Sequence, residues 1–159
     1  MKYETKAADQ KVMEITSPAF NNNDLIPEQY TCDGINISPP LRIGHIPEGT
    51  KSLAVIMEDP DAASRTWIHW LMWNIPVTEE IGESEVPGVE GLNDFNLHQY
   101  GGPCPPHGTH HYYFKVFAID TILELPAHTN ARELEKAMQD HILTSGQLMG
   151  RYARRGSRK

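Results

Sequence analysis

Turn-forming residues divide this chain into short segments, and only one of those segments has the spacing of a helix. The 159 residues include 12 prolines and 12 glycines, which interrupt helices and mark turns. The runs between them are short, and they are either apolar throughout or alternate apolar with polar residues, as β-strands do. The sequence therefore predicts a single all-β domain over residues 1–159, an antiparallel β-sandwich with one C-terminal helix.

Three strands and one helix are the clearest individual elements. Residues 52–58, 66–75 and 111–119 are apolar enough for strands that are buried on one or both faces. The helix is expected to begin after Asn130, a good N-cap, with Glu133 in the capping-box position. Its apolar spacing continues to Ile142, and Gly146 lies just beyond, where a helix can end. Residues 76–99 are expected to form a long irregular excursion of functional importance or high mobility.

Charge and hydropathy exclude several classes of protein. The 14 basic and 21 acidic residues give a net charge of −7, which disfavours nucleic acid as a partner. No apolar run approaches the roughly 20 residues of a membrane helix, and the polar N-terminus has no signal core. We therefore expect a cytoplasmic protein without integral membrane association. Residues 1–10 and 154–159 are expected to be flexible. The basic C-terminus is expected to be a solvated tail, with an arm for an acidic partner as the alternative.

Two cysteines, Cys32 and Cys104, are too few for a disulfide framework. Reduced thiols are the default expectation for a cytosolic protein. A single Cys32–Cys104 bridge stays open as the alternative.

Two segments far apart in the chain predict the two halves of one polar pocket. Asp59 ends the strand over 52–58, and His69 lies on the next strand. His110 and Tyr112 are two residues apart and so share one face of a third strand. Imidazolium and phenol groups donate hydrogen bonds to phosphate oxygens, and N–H groups of a Gly-rich turn add to them. If the strands are neighbours, the set predicts a receptor for a small anion.

The same segments resemble the two signatures of the phosphatidylethanolamine-binding protein family, also called the Raf kinase inhibitor protein family. The first signature is matched by Asp59-Pro60-Asp61-Ala62 with Trp67-Ile68-His69-Trp70. The second is matched by Gly102-Pro103-Cys104-Pro105-Pro106-His107-Gly108 with His110-His111-Tyr112-Tyr113-Phe114. Supporting matches extend from about Ser17 to Tyr152, and they are closest to the bacterial and archaeal branch.

The resemblance implies a large and a small antiparallel sheet in a Greek-key-like sandwich, with a small anion pocket at one end. It places ligand-binding residues at six positions: Asp59, His69, Gly102, Pro103, His110 and Tyr112. It implies a binding or regulatory protein rather than an enzyme, with no cofactor, a phosphate or phosphorylated headgroup as ligand, and a kinase or protease as candidate partner. It also implies a homodimer. Two departures stand out, because Ala63 replaces a proline and His111 replaces an arginine. We expect His111 to alter the outer face rather than the pocket.

Two other functions use the same residues. A metal-dependent hydrolase would draw its ligands from a set of histidine, cysteine and aspartate side chains: Asp59, His69, His98, Cys104, His107, His110 and His111. No HExxH or paired Cys-x-x-Cys motif supports that function. Nucleophilic catalysis by Cys104 beside His107 or His110 would require a thiol with a lowered pKa.

Overall fold

Two antiparallel sheets pack against each other across the main apolar core of this computed structural model, which describes residues 12–157. The small sheet has the order β1-β2-β5, with β1 at Glu14–Thr16, β2 at Leu41–Gly44 and β5 at Glu80–Ile81. The large sheet has the order β6-β4-β3-β7-β8. Its strands are β3 at Ser52–Asp59, β4 at Trp67–Ile75, β6 at Val89–Glu90, β7 at His110–Ile119 and β8 at Ile142–Tyr152.

The large sheet is covered on both faces. Alternate residues of β3 explain this arrangement, because Val55 and Met57 join the core shared with the small sheet, while Ala54 and Ile56 join a second core. The second core contains Leu134 from the helix α1, Ala131–Met138. The prediction of a β-sandwich with a large and a small sheet is therefore confirmed, and α1 is the one α-helix within residues 12–157.

The helix begins as predicted and ends earlier. The Asn130 side chain accepts a hydrogen bond from the Glu133 backbone N–H, and the Glu133 carboxylate accepts one from the Asn130 N–H. The chain then leaves the helix after Met138, and Gly146 lies inside β8 rather than at a helix end. A side chain at Gly146 would collide with the backbone of Met13, whose N–H donates to the Ser145 carbonyl at 3.1 Å. Close chain approach is therefore the reason for this glycine.

Residues 76–99 are more ordered than the sequence predicts, because they supply β5 to the small sheet and β6 to the large one. The rest of the excursion is organised by Asn93, which is 3% exposed. Its side-chain oxygen accepts from the backbone N–H groups of Phe95 and Leu97, and its amide donates to the His69 and Gln99 carbonyls. This buried amide fixes the segment against the start of β4.

A Cys32–Cys104 disulfide joins the loop before β2 to the loop before β7. The default of reduced thiols does not hold, because the two Cα atoms lie 5.5 Å apart. Hydrogen bonds hold the same loops together: the Cys32 N–H donates to the Pro103 carbonyl at 3.1 Å, and the Tyr100 hydroxyl donates to the Tyr30 carbonyl at 2.7 Å. These contacts between the two loops, rather than the spacing of the cysteines in the sequence, therefore bring Cys32 and Cys104 together.

The described part of the C-terminus is held by ion pairs. Arg154 lies 3.2 Å from Asp33, and Arg155, the first residue of a short 3-10 helix at Arg155–Ser157, lies 2.9 Å from Glu28. Flexibility was predicted for residues 1–10 and 154–159, and of these residues 1–10 and 158–159 lie outside the described part of the chain. Across residues 12–157, no helix has the length and apolar character that crossing a membrane requires.

Candidate functional site

A pocket with a volume of about 260 Å³ opens at the end of the large sheet where β3 ends and β4 and β7 begin. Its lining includes the four side chains predicted to converge, together with Ser64; in chain order the four are Asp59, His69, His110 and Tyr112. The antiparallel register explains the convergence, because β3 lies between β4 and β7 and pairs with both. The end of β3 therefore meets the first residues of both neighbours.

Asp59 and His110 form a hydrogen-bonded pair inside the pocket. His110 Nδ1 lies 2.6 Å from Asp59 Oδ2, and the side chains are 13% and 5% exposed. The other carboxylate oxygen of Asp59 accepts the backbone N–H of Asp61 at 2.8 Å. Because an ionised carboxylate only accepts, the pair places a hydrogen on Nδ1 of His110 and leaves Nε2 for the pocket.

His69 reaches the pocket because of a β-bulge. Met57 pairs with Trp70 and the next residue, Glu58, pairs with Ile68, so His69 is an extra, unpaired residue in β4. A bulge redirects the side chain at its position. Strict alternation along β4 would place His69 on the same face as Leu71, yet Leu71 packs in the core beside α1 while His69 lies beside Tyr112.

The His69 ring is fixed by a backbone carbonyl. Its Nδ1 donates to the Gly101 carbonyl oxygen at 2.6 Å, and the residue is 4% exposed. A carbonyl oxygen cannot donate, so the hydrogen on Nδ1 is determined. Burial lowers the pKa of His69 below its ordinary value, and the nearby carbonyls and the carboxylates of Asp59 and Asp94 oppose that shift without cancelling it.

Tyr112 carries a buried hydroxyl without a well-formed hydrogen bond. The residue is fully buried, and its hydroxyl oxygen has no partner at hydrogen-bonding geometry, although the Asp59 carboxylate and the Cys104 backbone lie close enough to affect its pKa. Burial, followed by the charge of Asp59, raises the pKa of Tyr112 well above its ordinary value, so the hydroxyl keeps its proton. Buried polar groups nearly always have a partner, and an exception inside a pocket indicates a place for a ligand.

Gly102 and Pro103 do not line the pocket. The Gly102 N–H donates to Asn36 Oδ1 at 2.8 Å, and the Pro103 carbonyl accepts from Cys32. A side chain at Gly102 would collide with the Tyr30 carbonyl and with Asn36. These two residues instead fix the loop that carries the next three residues, Cys104, Pro105 and Pro106, which do line the pocket.

The pocket walls are apolar and include residues that the sequence did not single out. Phe95 and Trp67 pack edge to face with ring centres 5.6 Å apart, and Phe95 also packs against the His69 ring at 5.3 Å. Pro105 and Pro106 line the wall beside the disulfide. Phe95 comes from the 76–99 segment, so its place in the pocket follows from the turn built on Asn93 rather than from a local pattern.

His111 points away from the pocket, as its position on β7 predicted. It replaces the arginine of the family signature, yet it still has an acidic partner. Its Nδ1 lies 2.7 Å from Asp61 Oδ2, and the two side chains are about 40% exposed. Histidine in place of arginine at this position therefore keeps an acidic partner, Asp61.

The two catalytic alternatives find little support in this geometry. Within residues 12–157, no three His, Cys, Asp or Glu side chains are grouped so that they could share a metal ion. Cys104 is in a disulfide, so it has no thiolate with which to attack a substrate.

Comparisons with known proteins agree with this architecture. A family model described as phosphatidylethanolamine-binding protein matches residues 16–153. A UPF0098 protein of Pyrococcus abyssi is 49% identical over 150 residues, covering 87% of this chain and 84% of the relative. A UPF0098 protein of Methanothermobacter thermautotrophicus is 43% identical over 89% of this chain and 99% of the relative.

Two solved structures have the same fold. One is a putative phosphatidylethanolamine-binding protein homologue from Chlamydia trachomatis, with a TM-score of 0.87 and 37% identity over 90% of this chain and 98% of that chain. The other is YbcL of E. coli, described as a new member of the mammalian family, with a TM-score of 0.84 and 28% identity over 91% of this chain and 100% of that chain.

Proposed function

Because this chain belongs to the phosphatidylethanolamine-binding protein family, we propose that it is a binding protein whose pocket receives a small anion or a phosphorylated headgroup. The observation that carries the proposal is the buried Tyr112 hydroxyl, which belongs to a residue lining the pocket and has no partner at hydrogen-bonding geometry. An unsatisfied buried hydroxyl costs about 1–3 kcal/mol. A ligand oxygen in the pocket would recover that cost, and a site without a ligand would not.

The division of the pocket supports a ligand with two parts. Its polar side chains, Asp59, His69, His110 and Tyr112, are gathered where the strands meet, whereas Trp67, Phe95 and the two prolines form apolar walls. Ligand sites combine a few placed polar groups with apolar walls in this way. The arrangement favours a phosphoryl group at the polar end, joined to a short organic body between the walls.

We propose binding, and not catalysis, as the function of the pocket. The Asp59–His110 pair holds an imidazole in one orientation, which a binding site also requires.

Titration of phosphate and of phosphoethanolamine against the protein tests this function. The variant His110→Ala removes one ligand-facing imidazole, and we expect its affinity to fall about tenfold or more, in line with the loss of a charge-assisted hydrogen bond. His141→Ala is the matched control, because His141 makes a similar 2.8 Å pair with Asp120 at the opposite end of β7 and β8. Equal affinities of the wild type and His110→Ala would remove His110 from the site, and no binding of either ligand would refute the function.

Three further features remain proposals: a protein partner and a homodimer, which rest on the family, and a cytoplasmic location, which rests on the sequence. The disulfide makes the last of these the most open to challenge, because disulfides are rare in the cytosol of mesophiles. Cell fractionation tests the location, and light scattering after gel filtration tests the dimer.

A further inference from the structure

Among the described residues that line the pocket, none is a lysine or an arginine. The ionisable lining groups are Asp59, His69, His110 and Tyr112. Arg65 lies outside this lining, 3.2 Å from Asp94 and over the Trp67 ring. An anion that enters the pocket therefore meets imidazole and hydroxyl groups, the Ser64 side chain included, rather than a lysine or an arginine.

Both imidazoles use Nδ1 for hydrogen bonds within the protein. His69 donates from Nδ1 to the Gly101 carbonyl, and His110 donates from Nδ1 to Asp59, in both cases at 2.6 Å. A neutral imidazole that carries its hydrogen on Nδ1 has a lone pair on Nε2. When the two histidines are neutral, the ring atom left for a ligand, Nε2 of each, is therefore a hydrogen-bond acceptor. An oxyanion without a proton would then face lone pairs on both rings.

We propose that the pocket takes up its anion together with a proton, and that it therefore selects phosphate monoesters, which can carry that proton, over sulfate monoesters, which cannot. The inference rests on the function proposed above and specifies its ligand class. The proton lies between a ligand oxygen and Nε2 of His69 or His110, either as P–O–H donating to the ring or as N–H donating to the ligand. The Tyr112 hydroxyl supplies a donor that requires no proton from solvent.

The surroundings of both rings favour binding of the anion together with a proton. Burial keeps His69 neutral at pH 7 in the empty pocket, since it lowers the pKa of that ring. The carboxylates near the rings, Asp59, Asp61 and Asp94, make the site more negative and so oppose an unaccompanied anion. A phosphate monoester has a second pKa of about 6 and can hold a proton near neutral pH, whereas a sulfate monoester is a strong acid.

The experiment compares phenyl phosphate with phenyl sulfate, because the aromatic and proline walls suit the shared phenyl ring. Calorimetric titrations at about pH 7.5, in buffers with different heats of ionisation, give the number of protons taken up per bound ligand. We expect phenyl phosphate to bind with uptake of about one proton, and phenyl sulfate to bind at least about tenfold more weakly.

The variant His69→Asn tests the role of the ring. Asparagine can keep a donor toward Gly101 and has no group that titrates, so we expect reduced proton uptake and a smaller preference for phosphate. The matched control His141→Ala should behave as the wild type. Thermal unfolding of each variant establishes that it is folded.

The possible results separate the inference from the function on which it rests. Phosphate binding without proton uptake would overturn the inference and leave the function standing, since charge alone would then decide affinity. Equal affinity for the two phenyl esters would do the same. If neither ester binds, and phosphate and phosphoethanolamine do not bind either, the function and the inference are both refuted.

Discussion

His111 and Asp61 are joined by two hydrogen bonds to one oxygen: Nδ1 of His111 lies 2.7 Å from Asp61 Oδ2, and the His111 backbone N–H donates to it at 2.9 Å. This pair lies directly beyond the Asp59–His110 pair of the pocket. It ties the turn after β3 to the start of β7, and that turn carries the wall residues Ala62 and Ala63. The outer pair thus connects a pocket wall to the strand that supplies His110.

Replacing Asp61 should change stability only where the carboxylate is ionised. The hydrogen bond from His111 lowers the pKa of Asp61, so its contribution is full above the unfolded pKa of about 4 and is lost as pH falls through the lower folded value. Because both side chains are about 40% exposed, we expect less than about 1 kcal/mol. Urea unfolding of Asp61→Asn at several pH values measures this. A stability deficit that persists unchanged in strong acid would contradict the assignment.

The Tyr112 hydroxyl should help binding at the expense of stability. Tyr112→Phe removes an unsatisfied buried group, so we expect the free energy of unfolding to stay the same or rise by about 1 kcal/mol. Phosphate affinity should fall about tenfold with the loss of a donor. Tyr152→Phe is the matched control, because the Tyr152 hydroxyl donates to Asp33 at 2.5 Å, and its loss should lower stability without weakening phosphate binding. A destabilised Tyr112→Phe with normal affinity would show that the hydroxyl is structural.

The disulfide should make a large contribution to stability. It closes a loop with a sequence separation of 72 residues, for which the chain-entropy model gives about 4 kcal/mol. We expect the Cys32→Ser/Cys104→Ser variant to lose an amount of that order in urea unfolding. The wild type measured with a reductant should match the variant measured without one. A reductant that leaves the stability of the wild type unchanged would show that the bridge is absent in solution.

The sequence was sufficient to predict how three polar side chains of the pocket come together. Asp59 ends an apolar strand, and His110 and Tyr112 are separated by the strand period, so their shared face follows from local pattern. His69 is different, because only the bulge in β4 brings it to that face, and a bulge leaves no clear mark in the spacing of apolar residues. Its residue type and its place on the strand after Asp59 made it a candidate, but strict alternation did not predict the face on which it lies.

The remaining differences arise from tertiary contacts. Phe95 reaches the wall through the turn organised by Asn93, which lies outside both pocket motifs in the sequence. The helix was predicted too long because His141 and Ile142 continue its spacing, although Ile142 pairs with Ile119 and is the first residue of β8. Strand pairing there outweighs local helical preference.

Gly102 should affect the fold before it affects the ligand. A side chain at this position would collide with the Tyr30 carbonyl and Asn36, so we expect Gly102→Ala to lower the free energy of unfolding by about 1–3 kcal/mol. Gly156→Ala is the control, because a side chain there would meet no atom within 4 Å. Thermal and urea unfolding measure both variants. A fully stable Gly102→Ala with impaired phosphate binding would instead support direct contact of this loop with the ligand.

His69 should make the empty protein less stable in mild acid. Its pKa is lowered by burial, so the folded state binds a proton less readily than the unfolded chain. The resulting loss of stability is absent above the unfolded pKa of about 6.5, grows as pH falls, and is complete below the pKa of His69 in the folded protein. We therefore expect the free energy of unfolding to decrease with falling pH below about 6.5, and this slope to be smaller in His69→Asn. The comparison of slopes is unaffected by a uniform loss of stability in the variant. NMR titration of the ring protons gives an independent test, and a His69 that titrates at or above the ordinary value in the absence of ligand would contradict the neutral ring.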